Sequence, residues 1–240
     1  MHSIVISDLH LRDPSSSRDA ATHAARVADL INQATELVPD AELLILMGDL
    51  TDAGEVGAYR WLAERLAALP MPAVPMMGNH DDRPALRRIF AGAHPGGFIQ
   101  SVHGADNWRL VFLDTHEPGT DAGYLCDQRL GWLDDRLDEG GEVCLFLHHP
   151  PCDIGDPKLD PLRLTNADEL AAVIARHGNV RQIFFGHIHR TLFLNWQGIP
   201  CASLASLGAA GPKSAGGFAP AFGVLTTDEL GARLLVRPLS

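Results

Sequence analysis

Basic residues, closely spaced cysteines and long apolar runs are all scarce in this sequence. It has 19 Lys and Arg residues against 30 Asp and Glu, a formal net charge of -11, which disfavours nonspecific binding to nucleic acid or anionic lipid. The four cysteines show no CxxC spacing and no dense disulfide framework. No apolar run approaches the ~20 residues of a membrane span, and the first residues do not resemble a signal peptide. We therefore expect a cytoplasmic protein with reduced cysteines that binds neither a membrane nor a nucleic acid polymer.

Length and composition suit one globular domain. The chain has 240 residues, of which 46% are hydrophobic, enough to fill a substantial core. No internal repeat, charge block or linker divides it, so we predict a single domain over residues 1–240. Two stretches rich in glycine, proline and alanine, residues 92–97 and 208–217, are predicted loops.

Short apolar runs alternate with stretches of helical periodicity through the first three quarters of the chain. Such a pattern predicts buried strands separated by amphipathic helices, and therefore an α/β fold with largely parallel pairing. Three helical stripes are visible, around Val27–Ala34, Val56–Leu69 and Leu170–His177, the last with Thr165 as its predicted N-cap. The predicted strands are residues 3–7, 43–47, 73–77, 110–113, 143–147 and 182–185.

The last third of the chain has little helical periodicity. Its apolar runs at residues 191–196, 199–202, 222–226 and 233–236 predict four further strands. We expect them to form a second, more antiparallel sheet packed on the first.

Polar side chains follow five of the predicted strands at the point where each strand ends. They are Asp8-Leu9-His10, Gly48-Asp49, Gly78-Asn79-His80-Asp81, His148-His149 and Gly186-His187-Ile188-His189. Because the carboxyl ends of strands line the ligand crevice of an α/β sheet, we expect these turns to converge on one site.

The donor set predicts a centre with two divalent metal ions. Carboxylates, an amide oxygen and imidazoles, with no thiolate, suit Mn, Fe, Zn, Co or Ni. Seven of these side chains are the candidate ligands: Asp8, His10, Asp49, Asn79, His148, His187 and His189. Seven donors are more than one tetrahedral zinc binds, and they suit two ions that share a ligand. The glycines at positions 48, 78 and 186 are predicted to let the backbone turn tightly beside the ions.

The five motifs, in this order, resemble the signature of the calcineurin-like metallophosphoesterase superfamily over residues 8–189. The GNHD and His-His-Pro-Pro runs, with Gly123-Tyr124-Leu125-Cys126 and Trp132-Leu133, resemble the branch of class III cyclic nucleotide phosphodiesterases and bacterial glycerophosphodiesterases. The resemblance implies a four-layer α/β/β/α sandwich, in which two mixed β-sheets are flanked by helices. It also implies a homodimer or a larger assembly as one possible state of the protein.

The resemblance also implies a role for each motif residue. One metal would be held by Asp8, His10, Asp49 and His189, and the other by Asp49, Asn79, His148 and His187, with Asp49 as the bridge. His80 would be the catalytic residue, facing the phosphate without binding metal, and Asn79, His10 and His189 would also line the substrate. A hydroxide held between the metals would attack phosphorus opposite the leaving oxygen.

Several residues near the motifs allow two interpretations. His148 is preferred to His149 as the ligand because it comes first after its strand, while His149 is left as a possible support for the turn and His116 as a possible cleft residue. Asp81 and Asp52 are interpreted as turn or supporting carboxylates, and Arg83 as a surface residue at a helix start rather than a phosphate contact.

The leading functional hypothesis is a metal-dependent phosphodiesterase for small diesters, such as 3′,5′-cyclic nucleotides or glycerophosphodiesters. The alternatives are a phosphomonoesterase or nucleotide pyrophosphohydrolase, and a binding scaffold that has lost catalysis. A DNA repair nuclease is disfavoured by the acidic charge and the lack of a basic groove. Residues 92–107, 117–126, 151–163 and 208–218 are expected to frame the cleft and select the substrate.

Overall fold

Two β-sheets and five α-helices make up the part of the chain that the structure describes. The computed structural model describes residues 1–90, 97–105, 107–206 and 220–239. The helices are α1 (Arg18–Leu37), α2 (Val56–Ala67), α3 (Arg83–Ile89), α4 (Asp127–Asp138) and α5 (Ala167–His177), and a 3₁₀ turn covers Asp160–Leu162. The strands are β1 (His2–Ile6), β2 (Leu43–Leu46), β3 (Ala73–Pro75), β4 (Ser101–Ala105), β5 (Trp108–Phe112), β6 (Glu142–Leu147), β7 (Val180–Phe185), β8 (Leu192–Trp196), β9 (Ile199–Ser203), β10 (Ala221–Asp228) and β11 (Gly231–Pro238).

The apolar runs predicted ten of these strands to within a few residues. The exception is β4, which lies inside the loop predicted over residues 92–107 and pairs with β5 as an edge hairpin. The sequence gave no prediction of α4, and of α3 it predicted only the start at Arg83. The predicted loop at residues 208–217 lies outside the described residues, as does all of the loop at 92–97 except Gly97.

The prediction that the C-terminal strands form a sheet of their own was wrong. The first sheet has the order β11-β10-β1-β2-β3, and the second has the order β4-β5-β6-β7-β9-β8. The C-terminal strands are thus divided between both sheets, because β10 pairs with β1 and β9 pairs with β7. Each sheet is mixed. In the first, β1, β2 and β3 are parallel, and β10 and β11 pair antiparallel. In the second, β5, β6, β7 and β9 are parallel, and only the edge strands β4 and β8 pair antiparallel.

Three apolar cores define a sequence of four layers. Val5, Ile45 and Met47 of the first sheet pack with Phe112 and Phe146 of the second, between the two sheets. The alternate residues of β1 and β2 face α1, α2 and α3 on the opposite side of the first sheet. The outer face of the second sheet packs on α4 and α5 in the same way. Alternation of side chains along a strand lets one strand supply both cores, and the predicted α/β/β/α sandwich is confirmed.

The start of α5 differs from the prediction by one residue. Asn166, not Thr165, occupies the N-cap position. The Thr165 hydroxyl donates instead to the Gly123 carbonyl at 2.8 Å, and the Asn166 amide bonds to both backbone groups of Leu125. These contacts fix the segment before α4 to the start of α5.

No helix in the described ranges is both long and apolar enough to cross a bilayer.

Candidate metal centre

The five polar turns meet at one edge of the sandwich, where the carboxyl ends of parallel strands from both sheets lie side by side. The turns after β1, β2 and β3 belong to the first sheet, and those after β6 and β7 to the second. Seven predicted ligands therefore come from both sides of the central core. They separate into two groups of donor atoms.

The first group contains Asp8, His10, Asp49 and His189, whose ligand atoms all lie within 4.8 Å of one another. His10 Nε2 lies 2.9 Å from His189 Nε2 and 3.5 Å from Asp49 Oδ2. His189 Nε2 also lies 3.6 Å from Asp8 Oδ1. Two imidazole nitrogens and two carboxylates thus point at one locus.

The second group gathers around the Asn79 amide oxygen. His187 Nδ1 lies 2.9 Å and His148 Nε2 lies 3.1 Å from Asn79 Oδ1. His148 Nδ1 donates to the Met47 carbonyl at 2.9 Å, so in the neutral ring the lone pair sits on Nε2, which faces the group. A backbone partner on the far nitrogen is the usual way to orient a metal-binding histidine.

Asp49 lies between the two groups. Its Oδ2 is 3.5 Å from His10 Nε2 in the first group and 3.4 Å from His148 Nε2 in the second. Its Oδ1 accepts the backbone N–H of His80 at 2.9 Å. One carboxylate oxygen is therefore anchored to the backbone while the other faces both sets of donors, as a shared ligand must.

The backbone of the ligand turns is strained. Asp8, His10, Asp49, His187 and His189 all have positive φ angles, between 47° and 70°. Among the described residues, Gln197 is the only other non-glycine residue with positive φ. A non-glycine residue held in this region costs on the order of 1–3 kcal/mol, and such residues cluster at functional sites.

The three turn glycines serve the site in two different ways. Gly48 has φ +87°, as the predicted tight turn requires. For Gly78 and Gly186 the predicted reason was wrong, because space rather than backbone conformation requires glycine there. A Cβ on Gly78 would lie 2.1 Å from Asp49 Oδ1, and one on Gly186 would lie 2.7 Å from Ser7 Oγ.

Burial and neighbouring charges determine the protonation of the buried histidines. Burial, reinforced by His148, lowers the pKa of His187 to about 4, so this ring is neutral at pH 7. For His148 burial acts in the same direction, but the adjacent Asp49 carboxylate outweighs it and raises the pKa to about 9. A metal ion would bind His148 only after this proton is lost, because a metal ligand must be unprotonated.

His80 lies beside the first group without joining it. Its Nδ1 donates to the Asp52 carbonyl at 2.8 Å, and its ring centroid is 4.7 Å from that of His10. The residue is exposed, and one of its ring nitrogens lies within 4.8 Å of donor atoms of His10 and Asp52. Burial lowers the pKa of His80, but the Asp49 charge together with the backbone hydrogen bond to Asp52 and the Asp52 charge outweighs it, and the net shift is upward.

His149 has no nitrogen free for a metal. Its ring lies within 4.8 Å of the donors of His148 and His187, yet Nδ1 contacts the Thr115 hydroxyl at 2.7 Å and Nε2 contacts the Asp121 carbonyl at 3.1 Å. The geometry therefore favours His148 as the ligand.

Asp81 is a turn carboxylate, as interpreted. It is buried, accepts backbone N–H groups of Leu50, Thr51 and Gly78, and accepts the Tyr59 hydroxyl at 2.8 Å. It thereby ties the turn after β2 to the turn after β3.

The surface assignment of Arg83 was wrong. Its guanidinium donates to both oxygens of the fully buried Asp114, at 2.7 and 3.0 Å. Arg129, which is 1% exposed, donates to the Asp114 and His116 carbonyls. The sequence gave no signal for this pair of arginines, because an isolated charged residue is usually exposed.

The residues fit two divalent cations. Two clusters of oxygen and nitrogen donors share the Asp49 carboxylate, whose Oδ2 lies within 3.5 Å of a histidine nitrogen in each cluster. None of the seven donors is a thiolate, and such a set suits divalent ions that prefer oxygen and nitrogen ligands. Divalent metals are therefore the cofactors that this site would bind.

Comparison with known proteins gave three findings. A family model described as Calcineurin-like phosphoesterase matches residues 1–191. The chain is 36% identical over 207 residues, 83% of its length and 76% of the other, to a "Probable cyclic nucleotide phosphodiesterase" of Rhodopseudomonas palustris. It is 28% identical over 207 residues, 83% and 74% of the two lengths, to a glycerophosphodiester phosphodiesterase of Enterobacter lignolyticus.

A solved structure has the same fold. The crystal structure of a dimetal phosphatase from Danio rerio superposes with a TM-score of 0.74, covering 100% of this chain and 99% of the other at 17% sequence identity. At that identity the likeness supports the fold alone.

Proposed function

The chain belongs to the calcineurin-like phosphoesterase family, and on that premise we propose that it is a metal-dependent hydrolase of small phosphodiesters. The substrate classes named for its relatives, cyclic nucleotides and glycerophosphodiesters, are the candidates. The observation that carries the proposal is the position of Asp49 Oδ2 within 3.5 Å of a histidine nitrogen in each donor group.

We assign Asp8, His10, Asp49 and His189 to one cation and Asp49, Asn79, His148 and His187 to the other. Nitrogen and oxygen donors without thiolate favour Mn, Fe or Zn. When bound, two such cations acidify water into a nucleophile and neutralise the phosphate charge. The protein contributes fixed positions for these charges, since every ligand is held by a strand end or by a backbone contact.

His80 is the proposed catalytic residue. With Nδ1 tied to the Asp52 carbonyl, its Nε2 is free to donate a hydrogen bond to a phosphate oxygen or a proton to the departing alkoxide. His10 and His189 lie at the partly exposed rim beside it, and with Asn79 they would contact the phosphate. The cleft is thus lined by hydrogen-bond donors on the side from which the diester enters.

Turnover by protein reconstituted with Mn, and in parallel with Fe and Zn, tests the substrate class. We expect hydrolysis of 3′,5′-cyclic AMP, a glycerophosphodiester and bis-p-nitrophenyl phosphate to exceed that of p-nitrophenyl phosphate. Preference for the monoester would favour a phosphomonoesterase. Absence of any turnover by protein with two bound metals would favour a binding scaffold.

Metal content separates the assigned roles. Asp49→Ala and Asn79→Ala should lose metal and activity together, because each removes a ligand. His80→Ala should lower kcat by about 10²–10⁴-fold with two metals still bound per chain. His2→Ala is the matched control, since His2 is a half-buried histidine outside the motifs, and its ring contacts Asp40. Metal loss in His80→Ala would show that His80 is a ligand.

A further inference from the structure

His149 lies between the second donor group and a loop that sequence analysis expected to frame the cleft, the wall loop (residues 117–126). It is fully buried. Its ring centroid lies 5.0 Å from that of His148 and 4.9 Å from that of His187. A ligand assignment is excluded by its two occupied nitrogens, so the proposed reaction leaves this residue without a role.

The hydrogen bonds of His149 fix its tautomer. The Asp121 carbonyl can only accept, so Nε2 carries the proton and donates across 3.1 Å to the wall loop. Nδ1 then accepts the Thr115 hydroxyl at 2.7 Å.

The backbone of the wall loop packs closely against the His149 ring. A Cβ on Gly123 would lie 2.6 Å from His149 Cγ and 2.7 Å from its Nδ1, so only glycine permits the loop to approach this closely. The backbone of the same loop is bonded on both sides: Gly123 N–H donates to the Arg163 carbonyl and Tyr124 N–H to the Thr115 carbonyl. His149 is the contact that joins this loop to the two metal-binding rings.

We propose that His149 is a positioning residue that sets the distance between the wall loop and the second donor group, and thereby the width of the substrate cleft on that side. The proposal rests on the proposed function for its effect on substrate. The proposal depends on the hydrogen bond from His149 Nε2 to the Asp121 carbonyl. The bond from the Thr115 hydroxyl orients the ring and is secondary.

Two substitutions separate these bonds, because a glutamine amide nitrogen can replace Nε2 and an asparagine oxygen can replace Nδ1. His149→Gln keeps a donor for Asp121, whereas His149→Asn keeps an acceptor for Thr115 and loses the tether to the wall loop. Thr115→Val removes the hydroxyl contact and leaves His149 intact. We expect His149→Asn to raise KM about two- to tenfold, the equivalent of one net hydrogen bond, with kcat changed less than KM. His149→Gln and Thr115→Val should stay within about twofold of wild type.

Hydrogen exchange of the peptide that contains Gly123 and Tyr124 gives a readout independent of turnover. In both metal-free and Mn-loaded protein, His149→Asn should exchange faster there by a similar factor, while His149→Gln should match wild type. Equal KM and equal exchange in the two variants would overturn the proposal, as would equal loss of Mn from both, which would make His149 a support for the ligands alone. Failure of wild type to hydrolyse any diester would refute the proposed function, and the exchange comparison would still decide the role of His149.

Discussion

Addition of a single methyl group at Gly78 tests whether the shared carboxylate organises the whole centre. A Cβ there would lie 2.1 Å from Asp49 Oδ1 and 2.3 Å from the Asp49 backbone nitrogen. Ordinary contact begins near 3.4 Å, so the carboxylate oxygen must move by about 1.3 Å to accommodate alanine. Since the other oxygen of Asp49 faces both donor groups, the displacement affects both metal positions.

The expected loss for Gly78→Ala is large in activity and moderate in stability. A misplacement of about 1 Å costs on the order of 10²-fold in rate, so kcat/KM should fall at least a hundredfold. Overpacking of a buried site lowers the free energy of unfolding by about 1–3 kcal/mol. Diester turnover with saturating Mn, Mn binding by calorimetry and urea denaturation of the metal-free protein measure the three effects.

Gly131→Ala is the matched control. Gly131 lies within α4, and apart from its chain neighbours and the nearby helix backbone no heavy atom lies within 4 Å of the Cβ that alanine would add. The variant should be more stable by about 0.5–1 kcal/mol, with unchanged Mn binding and turnover. If Gly78→Ala bound Mn and turned over substrate like wild type, the space around Asp49 would not constrain the centre, and the reasoning from close packing would be refuted.

Three further predictions follow from contacts away from the ligands. Arg83→Ala leaves the carboxylate of Asp114 buried without its guanidinium, so urea denaturation should show a loss of about 3 kcal/mol; a loss below about 1 kcal/mol would contradict the buried pair. Burial raises the pKa of the Cys126 thiol, but hydrogen bonds from the first turn of α4 outweigh burial and the net shift is downward. In the other three cysteines burial raises the pKa of the thiol. Peptide mapping after brief iodoacetamide treatment at pH 8 should therefore find Cys126 alkylated first, and an equal rate at all four would refute the assignment. A hydrogen bond from His177 lowers the pKa of Asp134 below 3.8, so its contribution to stability is complete above that pH and is lost as the pH falls further. The Tm difference between wild type and Asp134→Asn should accordingly vanish in acid, and a difference that persists at pH 2 would contradict it.

Sequence patterns predicted the central strands β1, β2 and β6 readily because these strands are buried on both faces. Their apolar runs leave little ambiguity, and the polar residues that follow them mark the sheet edge where the site lies. Helix α4 was not predicted, and of α3 only the start at Arg83 was. In α4 the buried Leu130, Leu133 and Leu137 are diluted by many charged residues, and α3 has only seven residues with a proline near its start.

The local sequence pattern does not predict which of the two sheets each C-terminal strand joins. Strand β10 belongs to the first sheet because its backbone pairs with β1, more than 200 residues away in sequence, and local periodicity carries no such information. At the site, the motifs predicted which residues meet, and the assignment of individual ligands remains a prediction. The role of His149 depends on the approach of Gly123, which no spacing in the sequence reveals.

The residues with left-handed backbone conformation at the candidate metal centre imply a trade-off between the stability of the fold and its activity. Each of the five could be relaxed by glycine, which adopts that conformation without a steric penalty. Such a change would delete a donor and yet leave the metal-free chain more resistant to denaturation. Selection for stability alone would therefore favour glycine at these positions, and the presence of aspartate or histidine at all five, in the turns after β1, β2 and β7, marks them as residues kept for chemistry.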